Sequence, residues 1–166
     1  PAQETTPLLQ VALYQPEIAQ NAGSVARTCA VLGARLHLIR PLGFQLAGAG
    51  VRRAGMDYLE GVDLRVHVSF AAFEQDIGPA ARIFAASARG RTVYTAAGFE
   101  PGDVILLGPE SVGLPEEILA AFPSVFLPMP GGGRSLNLAV SAGVLAFEAM
   151  RQISGGWAAA APARPA

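Results

Sequence analysis

Short apolar runs stopped by proline or glycine alternate along this chain with segments whose apolar residues recur every three or four positions. That alternation leaves few folds open. Val104–Leu107 is the clearest run, bounded by Gly102-Asp103 and Gly108-Pro109. Leu8–Tyr14 stops at Gln15-Pro16, Leu36–Ile39 at Arg40-Pro41 and Val125–Leu127 at Pro128, while Arg82–Ala86 runs into the polar stretch Ser87-Ala88-Arg89-Gly90 and Val66–Val68 is a weaker candidate. These read as buried strands. Helical spacing fills the gaps. Ala22, Val25, Cys29 and Leu32 lead to Gly33 behind Asn21 as a cap, Phe70–Gln75 is a short helix, and Leu114–Ala121 carries Pro115, Glu116 and Glu117 in its first turn. The longest helix spans about 137–152, capped by Ser135 or Asn137, with Leu136, Val140, Val144 and Phe147 along one side. Alternation at βαβ spacing predicts an α/β fold with a mainly parallel sheet flanked by helices. Ligands in such sheets bind beyond the carboxyl ends of the strands, which singles out segments 15–21, 87–90, 108–113 and 128–135.

One domain over 8–153 is expected for 166 residues, with 1–7 and 154–166 as flexible tails. Charged residues make up only 15%, which fits either a surface partly covered, most simply by a second copy of the chain, or, equally, simple compositional drift. A net charge of −1 excludes a bulk field that would attract nucleic acid, yet permits a local arginine patch. All twelve basic residues are arginine. Arg52, Arg53, Arg89 and Arg91 are candidates for phosphate contacts, although each by itself is more often an ordinary solvated surface charge. The single cysteine, Cys29, excludes an intramolecular disulfide and a cysteine-rich zinc site. His37 and His67 are too few and too separate in sequence to predict a metal cluster. With no apolar stretch of membrane-spanning length and no basic-then-apolar leader, a soluble cytoplasmic protein is the expectation.

Three pieces carry chemistry. In the first, the 104–107 strand delivers Gly108 to the sheet edge, where a missing side chain permits close approach, and Glu110 then offers two acceptor oxygens. Alone, this is equally an ordinary strand–turn–helix link. The second piece, Leu127-Pro-Met-Pro-Gly-Gly-Gly-Arg-Ser-Leu-Asn137, brings Arg134 and Ser135 to a helix N-terminus that favours an anion or carboxylate. Its plain alternative is a mobile surface loop with a normal cap. The third is Asn21 to Arg27 on the first helix, about 120° apart around its axis, so the two need not face one point. Arg27, among small and apolar neighbours, either snorkels or is used. Dinucleotide and Walker fingerprints are absent, the latter because the chain has no lysine. No Ser/His/acid grouping is legible.

These pieces resemble, in order and wording, the motifs of the knotted (SPOUT) class of S-adenosylmethionine-dependent RNA 2′-O-ribose methyltransferases. The first motif is matched by Asn21-x5-Arg27, the second by Leu107-Gly-Pro-Glu-Ser-x-Gly-Leu114, and the third by Leu127-Pro-Met129 with Ser135-Leu-Asn-Leu-Ala-Val140. Within the class the chain is most similar to the tRNA (cytidine/uridine-34) 2′-O-methyltransferases, which modify the wobble nucleotide of leucine tRNAs. Leu13-Tyr-Gln-Pro-Glu-Ile18, Leu36–Phe44, Arg52-Arg-Ala-Gly-Met-Asp-Tyr58 and Phe147–Gln152 carry that likeness. The resemblance implies a homodimer, a deep C-terminal trefoil knot, leucine tRNA as partner, and S-adenosylmethionine as cofactor with no metal and no membrane. It places cofactor contacts at Ala86, Gly108, Leu127, Met129, Ser135 and Leu136. Substrate and catalytic roles fall to Asn21, Arg27, Glu110, Arg134, Ser135 and Asn137, with Arg27 contributed across the dimer as one possibility. Arg27 is either the base for the ribose hydroxyl or a phosphate clamp, since an arginine pKa above 12 makes the first role demanding. Two positions depart from the pattern: Phe147 stands where relatives commonly have tyrosine, and Gly131-Gly-Gly133 is richer in glycine than their loop.

Overall fold

In this computed structural model, residues 6–46, 59 and 61–157 are described. The elements run β1 (Leu9–Tyr14), α1 (Ala19–Leu32), β2 (Arg35–Ile39), β3 (Leu64–His67), α2 (Phe70–Ile77), β4 (Ile83–Ala86), β5 (Thr92–Val93), β6 (Asp103–Leu107), α3 (Glu116–Ala121), β7 (Ser124–Phe126) and α4 (Leu138–Ile153). The strands form one seven-stranded sheet in the order β3-β2-β1-β6-β4-β7-β5, with every pairing parallel. A parallel sheet needs both faces covered, and the central strands serve both. Leu9, Val11 and Leu13 of β1, with Ile105 and Leu107 of β6, pack under α1 and α4. Ala12, Val104 and Leu106 face the opposite side, against Phe73 of α2 and Ile118 of α3. Among the described residues, no helix is long and apolar enough to cross a membrane.

The structure corrects the sequence expectations in several places. Helix α1 begins at Ala19 behind Ile18, so Asn21 is a buried first-turn residue and not the cap. Asn137 caps α4, its Oδ1 accepting from the N–H groups of Ala139 and Val140. The stripe of Val140, Val144 and Phe147 faces outward, each at least 39% exposed. The buried side of α4 is Leu138, Ala142, Leu145, Ala146, Ala149 and Met150, whose alanines let it lie close against Ala22 and Ala26 of α1. Strand β5 and the 3-10 turn Tyr94–Ala96 are additional elements. The segment carrying the phosphate candidates Arg52 and Arg53 lies outside the described residues.

Nor are the two histidines separate in space. Gln10 donates from Nε2 to the Gly102 carbonyl at 2.9 Å, leaving its Oε1 to accept from His37 Nε2 at 2.9 Å. His37 Nδ1 then meets His67 Nε2 at 2.9 Å. This chain of polar groups is buried across β1, β2 and β3. Burial, followed by the neighbouring His67, Arg35 and Arg65, pushes the His37 pKa down to about 3. Burial also lowers that of His67, partly opposed by Asp76. Because the unfolded chain binds a proton near pH 6.5 and the folded one does not, stability is fully present above pH 6.5 and falls as the solution is acidified toward pH 3. The expected slope is about 1.4 kcal/mol per pH unit for His37. Urea melts between pH 7 and 4.5 should show it, and His37→Gln should flatten it. An unchanged slope in that variant would remove His37 as its source.

Candidate functional site: a cavity beyond the strand ends

Strand register decides where the site forms. Leu107 pairs with Leu13 on one side and Ala86 on the other, and Ala86 pairs with Val125. The carboxyl ends of β1, β6, β4 and β7 therefore lie level, and their exit loops meet at one edge of the sheet, where ligands of parallel sheets bind. There a cavity of about 590 Å³ is lined by residues 86–89, 107–114, 125–127, 129 and 134–138, with Ile18, Asn21, Leu119, Ser141 and Leu145. A second cavity of about 530 Å³, at the amino ends of β4 and β7, contains none of the residues singled out from the sequence as cofactor-binding or catalytic.

Ala86, Gly108, Leu127, Met129, Ser135 and Leu136 all line the 590 Å³ cavity, together with Asn21, Glu110, Arg134 and Asn137. Arg27 does not. It is an exposed residue of α1 and is not among the residues that line its own chain's cavity. Gly108 has a structural use beside its place on the lining. A Cβ there would collide with the backbone of Gly113 and Leu114, so the space above it belongs to the chain's own returning turn. That turn is closed by Gly113 N donating to Pro109 O at 2.9 Å, with Gly113 at φ 71.

The Glu110 oxygens are likewise engaged by the protein. Oε2 accepts from Glu17 N at 2.8 Å, and Oε1 accepts from Ile18 N and Asn21 Nδ2, both at 3.1 Å. Glu110 thus occupies the start of α1, where free N–H groups and the helix dipole favour a carboxylate, and so explains why Asn21 is not needed there. Asn21 Oδ1 in turn accepts from Asn137 Nδ2 at 3.0 Å. One chain of hydrogen bonds therefore joins the exit of β6, the first turn of α1 and the cap of α4. Arg134 and Ser135 stand exposed on the lining, after Gly132 and Gly133 at φ 81 and 117, a conformation that favours glycine.

Sequence reasoning missed Glu17 and Ser111, which belong to the same network: Ser111 N and Oγ donate to the Glu17 carboxylate at 2.9 and 2.6 Å. Nothing in the sequence pairs residues 94 positions apart. Arg89 lines the cavity and forms an exposed ion pair with Glu116 at 2.5 Å, a pairing of little energetic weight that leaves it recruitable by phosphate. Arg91 bonds through its backbone N–H to Ser124 Oγ and is not among the lining residues. His37, His67 and Asp76 place ligand atoms within 4.8 Å of one another. Both His37 nitrogens are already engaged, however, and Asp76 is paired with Arg65 at 3.1 Å. A metal would have to displace those bonds, and none of the three lines the cavity. Cys29, buried in α1, has its thiol pKa pushed up to about 12 by burial and is no nucleophile.

The cavity is thus shaped by backbone turns, contains no histidine, and carries arginines on its lining. Such a site is suited to holding and aligning a ligand. Comparison with known proteins agrees with that reading. A protein of Burkholderia ambifaria named tRNA (cytidine(34)-2′-O)-methyltransferase is 48% identical over 149 residues, covering 87% of this chain and 96% of its own. A solved structure described as giving structural insights into the 2-OH methylation of C/U34 on tRNA superposes with a TM-score of 0.86 at 58% identity, over 91% of this chain and 99% of that one. An AdoMet-bound rRNA methyltransferase from Sinorhizobium meliloti shares the fold at 24% identity, with a TM-score of 0.79 over 89% of this chain and 57% of its own. The SpoU rRNA Methylase family pattern matches residues 8–147, and with the parallel sheet and its motif-lined cavity this shows that the chain belongs to that family of SPOUT-type methyltransferases.

Proposed function

We propose that the protein transfers a methyl group from S-adenosylmethionine to the ribose 2′-hydroxyl of nucleotide 34, cytidine or uridine, in leucine tRNAs, working in the cytoplasm as a homodimer. The observation that carries this reading is the gathering of residues from all three motif segments, Asn21 alone from the first, on one cavity. Its volume, about 590 Å³, falls within the usual range for a cofactor or small-molecule site. The names borne by relatives across nearly their whole length support nucleotide 34 of tRNA as the target, and the choice of leucine tRNAs follows from the motif resemblance. The trefoil knot implied by the motifs is part of the proposal, supported by a sheet order that interleaves β6 and β4 between β1 and β7.

Ala86, Gly108, Leu127, Met129, Ser135 and Leu136 would hold the cofactor, which supplies a methyl group on a sulfonium that leaves readily without metal assistance. The protein's part is alignment and help with a proton. Asn21, Glu110 and Asn137 keep the three loops in register through the bonds already described. Arg134 and Ser135 face the incoming ribose and phosphate, and Arg27 reaches the reacting hydroxyl from the partner subunit. Incubating purified protein with labelled S-adenosylmethionine and total tRNA, then mapping modified riboses by mass spectrometry, tests the assignment. Methylation at position 34 of leucine tRNA is expected. Methylation confined to other riboses would overturn the substrate, and cofactor-free RNA binding without methyl transfer would identify a silent RNA-binding dimer.

The dimer has its own support. Val140, Val144 and Phe147 form an outward apolar stripe on α4, with Leu136 before it and the Trp157 ring 6.2 Å from that of Phe147. Water would otherwise contact this stripe. Replacing Val140 and Val144 together by aspartate should leave the monomer folded, because both are already exposed, while weakening self-association roughly a hundredfold or more. Light scattering across a dilution series reads the change, and a dimer of unaltered affinity would exclude this face.

A further inference from the structure

Glu17 is not among the residues lining the cavity, yet the path of the chain delivers its carboxylate to one of its walls. At the end of β1, Gln15 adopts φ 48, a left-handed conformation uncommon for a residue with a side chain. Its N–H donates to Ile39 O at 2.9 Å, and Pro16 O accepts from Gly43 N at 2.9 Å. The two segments are pressed together: a Cβ on Gly43 would lie 2.5 Å from Glu17 O. This bend carries Glu17 across the crevice between β1 and β6, where its carboxylate receives Ser111 N at 2.9 Å and Ser111 Oγ at 2.6 Å. Glu110 returns the contact by receiving Glu17 N and Ile18 N. The two glutamates are therefore exchanged, each holding the other's loop.

We propose that Glu17 is a positioning residue of the cofactor pocket, acting through Ser111 to hold the 109–113 turn in place as one wall of the cavity. This rests on the reading of that cavity as the S-adenosylmethionine site. The unusual backbone at Gln15 and the close approach at Gly43 both serve to deliver this carboxylate, and strain of this kind persists where the surroundings impose it. Glu17 and Ser111 are exposed, and exposed polar contacts add little to global stability. Their effect falls on the turn. When the bonds are absent, binding of the cofactor must itself order residues 109–113, and affinity falls by the fraction of time the turn is in place.

The test is titration calorimetry of wild type, Glu17→Ala, Glu17→Gln and Ser111→Ala with S-adenosylmethionine, alongside steady-state methylation of tRNA. Glu17→Ala should raise the cofactor Kd and KM on the order of tenfold, the equivalent of one charge-assisted hydrogen bond. At saturating cofactor, kcat and the KM for tRNA should stay within about twofold, because alignment is restored once the pocket is filled. Glu17→Gln still accepts from the Ser111 N–H and can donate to its hydroxyl, so it should recover to within about threefold of wild type. Ser111→Ala keeps the backbone bond and should show the same pattern at smaller size, which carries the test if Glu17→Ala does not fold. A wild type that methylates tRNA, with variants that bind the cofactor as tightly as it does, would overturn the positioning role alone. Equal losses in kcat and tRNA affinity would do the same. A wild type that binds no S-adenosylmethionine would overturn both this role and the proposed function.

Discussion

Gly108→Ala is expected to reduce S-adenosylmethionine binding and methyl transfer by roughly a hundredfold or more and to lower stability by about 1–3 kcal/mol. The added Cβ would meet the carbonyl carbon of Gly113 and the amide nitrogen of Leu114. Those are backbone atoms, not the yielding end of a side chain. Behind them Leu114 is buried in the core with Ile118, so the turn must move outward, into the cavity that Gly113 and Leu114 both line. Gly131 supplies the contrast. It has open space around its Cβ position and no positive φ, and Gly131→Ala should leave binding and melting within error of wild type. Gly133→Ala, at φ 117, should strain the approach to Arg134 and fall between the two. Calorimetry with S-adenosylmethionine and thermal melts on the three variants give the ranking, and a Gly108→Ala protein with normal cofactor affinity would remove the turn from the pocket's construction.

The contrast among these glycines marks where sequence reading reached and where it stopped. Strands β1 and β6 were legible because a strand buried on both faces must be apolar along its length, and each stops at a residue pair that cannot continue it. The cavity was legible as a set of loops following strand ends, since a parallel sheet brings those ends to one edge. Gly108, Glu110, Arg134 and Ser135 stood out from their place at strand exits and a helix start, whereas Ala86, Leu127 and Leu136 were legible only through motif wording. That Gly108 accommodates the chain's own turn depends on where residues 113 and 114 return, which no local pattern encodes. Asn21 looked like a cap because asparagine before an apolar run is a good one. The actual acceptor at the start of α1 is Glu110, 89 residues from Asn21 in sequence. Helix α4 misled for a packing reason. Val140, Val144 and Phe147 lie outward, and the buried side sets Leu138, Leu145 and Met150 among Ala142, Ala146 and Ala149, alanines that a hydrophobic periodicity weighs lightly. The two histidines looked isolated because β2 and β3 become neighbours only after the register places Ile39 beside His67.

That outward stripe bears on the second large effect. Arg27→Ala is expected to lower kcat by at least roughly a hundredfold, the usual scale for removing a group that assists proton transfer, with tRNA affinity retained. Comparable loss of both would make Arg27 a phosphate clamp. Geometry adds a condition that the sequence could not. Asn21 faces inward to Glu110 and Asn137, whereas Arg27, six residues along the same helix and about 120° around it, is exposed and absent from its own chain's cavity lining. An exposed residue outside that lining is placed to serve the partner's site, as the motif resemblance offers. Mixed dimers decide this. Ser135→Trp would fill the cavity from an exposed position without disturbing the core, so a protomer carrying it has Arg27 but no usable pocket. Its partner carrying Arg27→Ala has the pocket but no arginine. Each variant alone should be inactive. Random reassociation places half the protomers in mixed dimers, each with one complete composite site if Arg27 acts across the interface, so about a quarter of wild-type activity should return. Action within one chain leaves every site in the mixture defective. A mixture that stays inactive despite verified subunit exchange would therefore place Arg27 in its own subunit's chemistry, through a conformation that brings it to the cavity of its own chain.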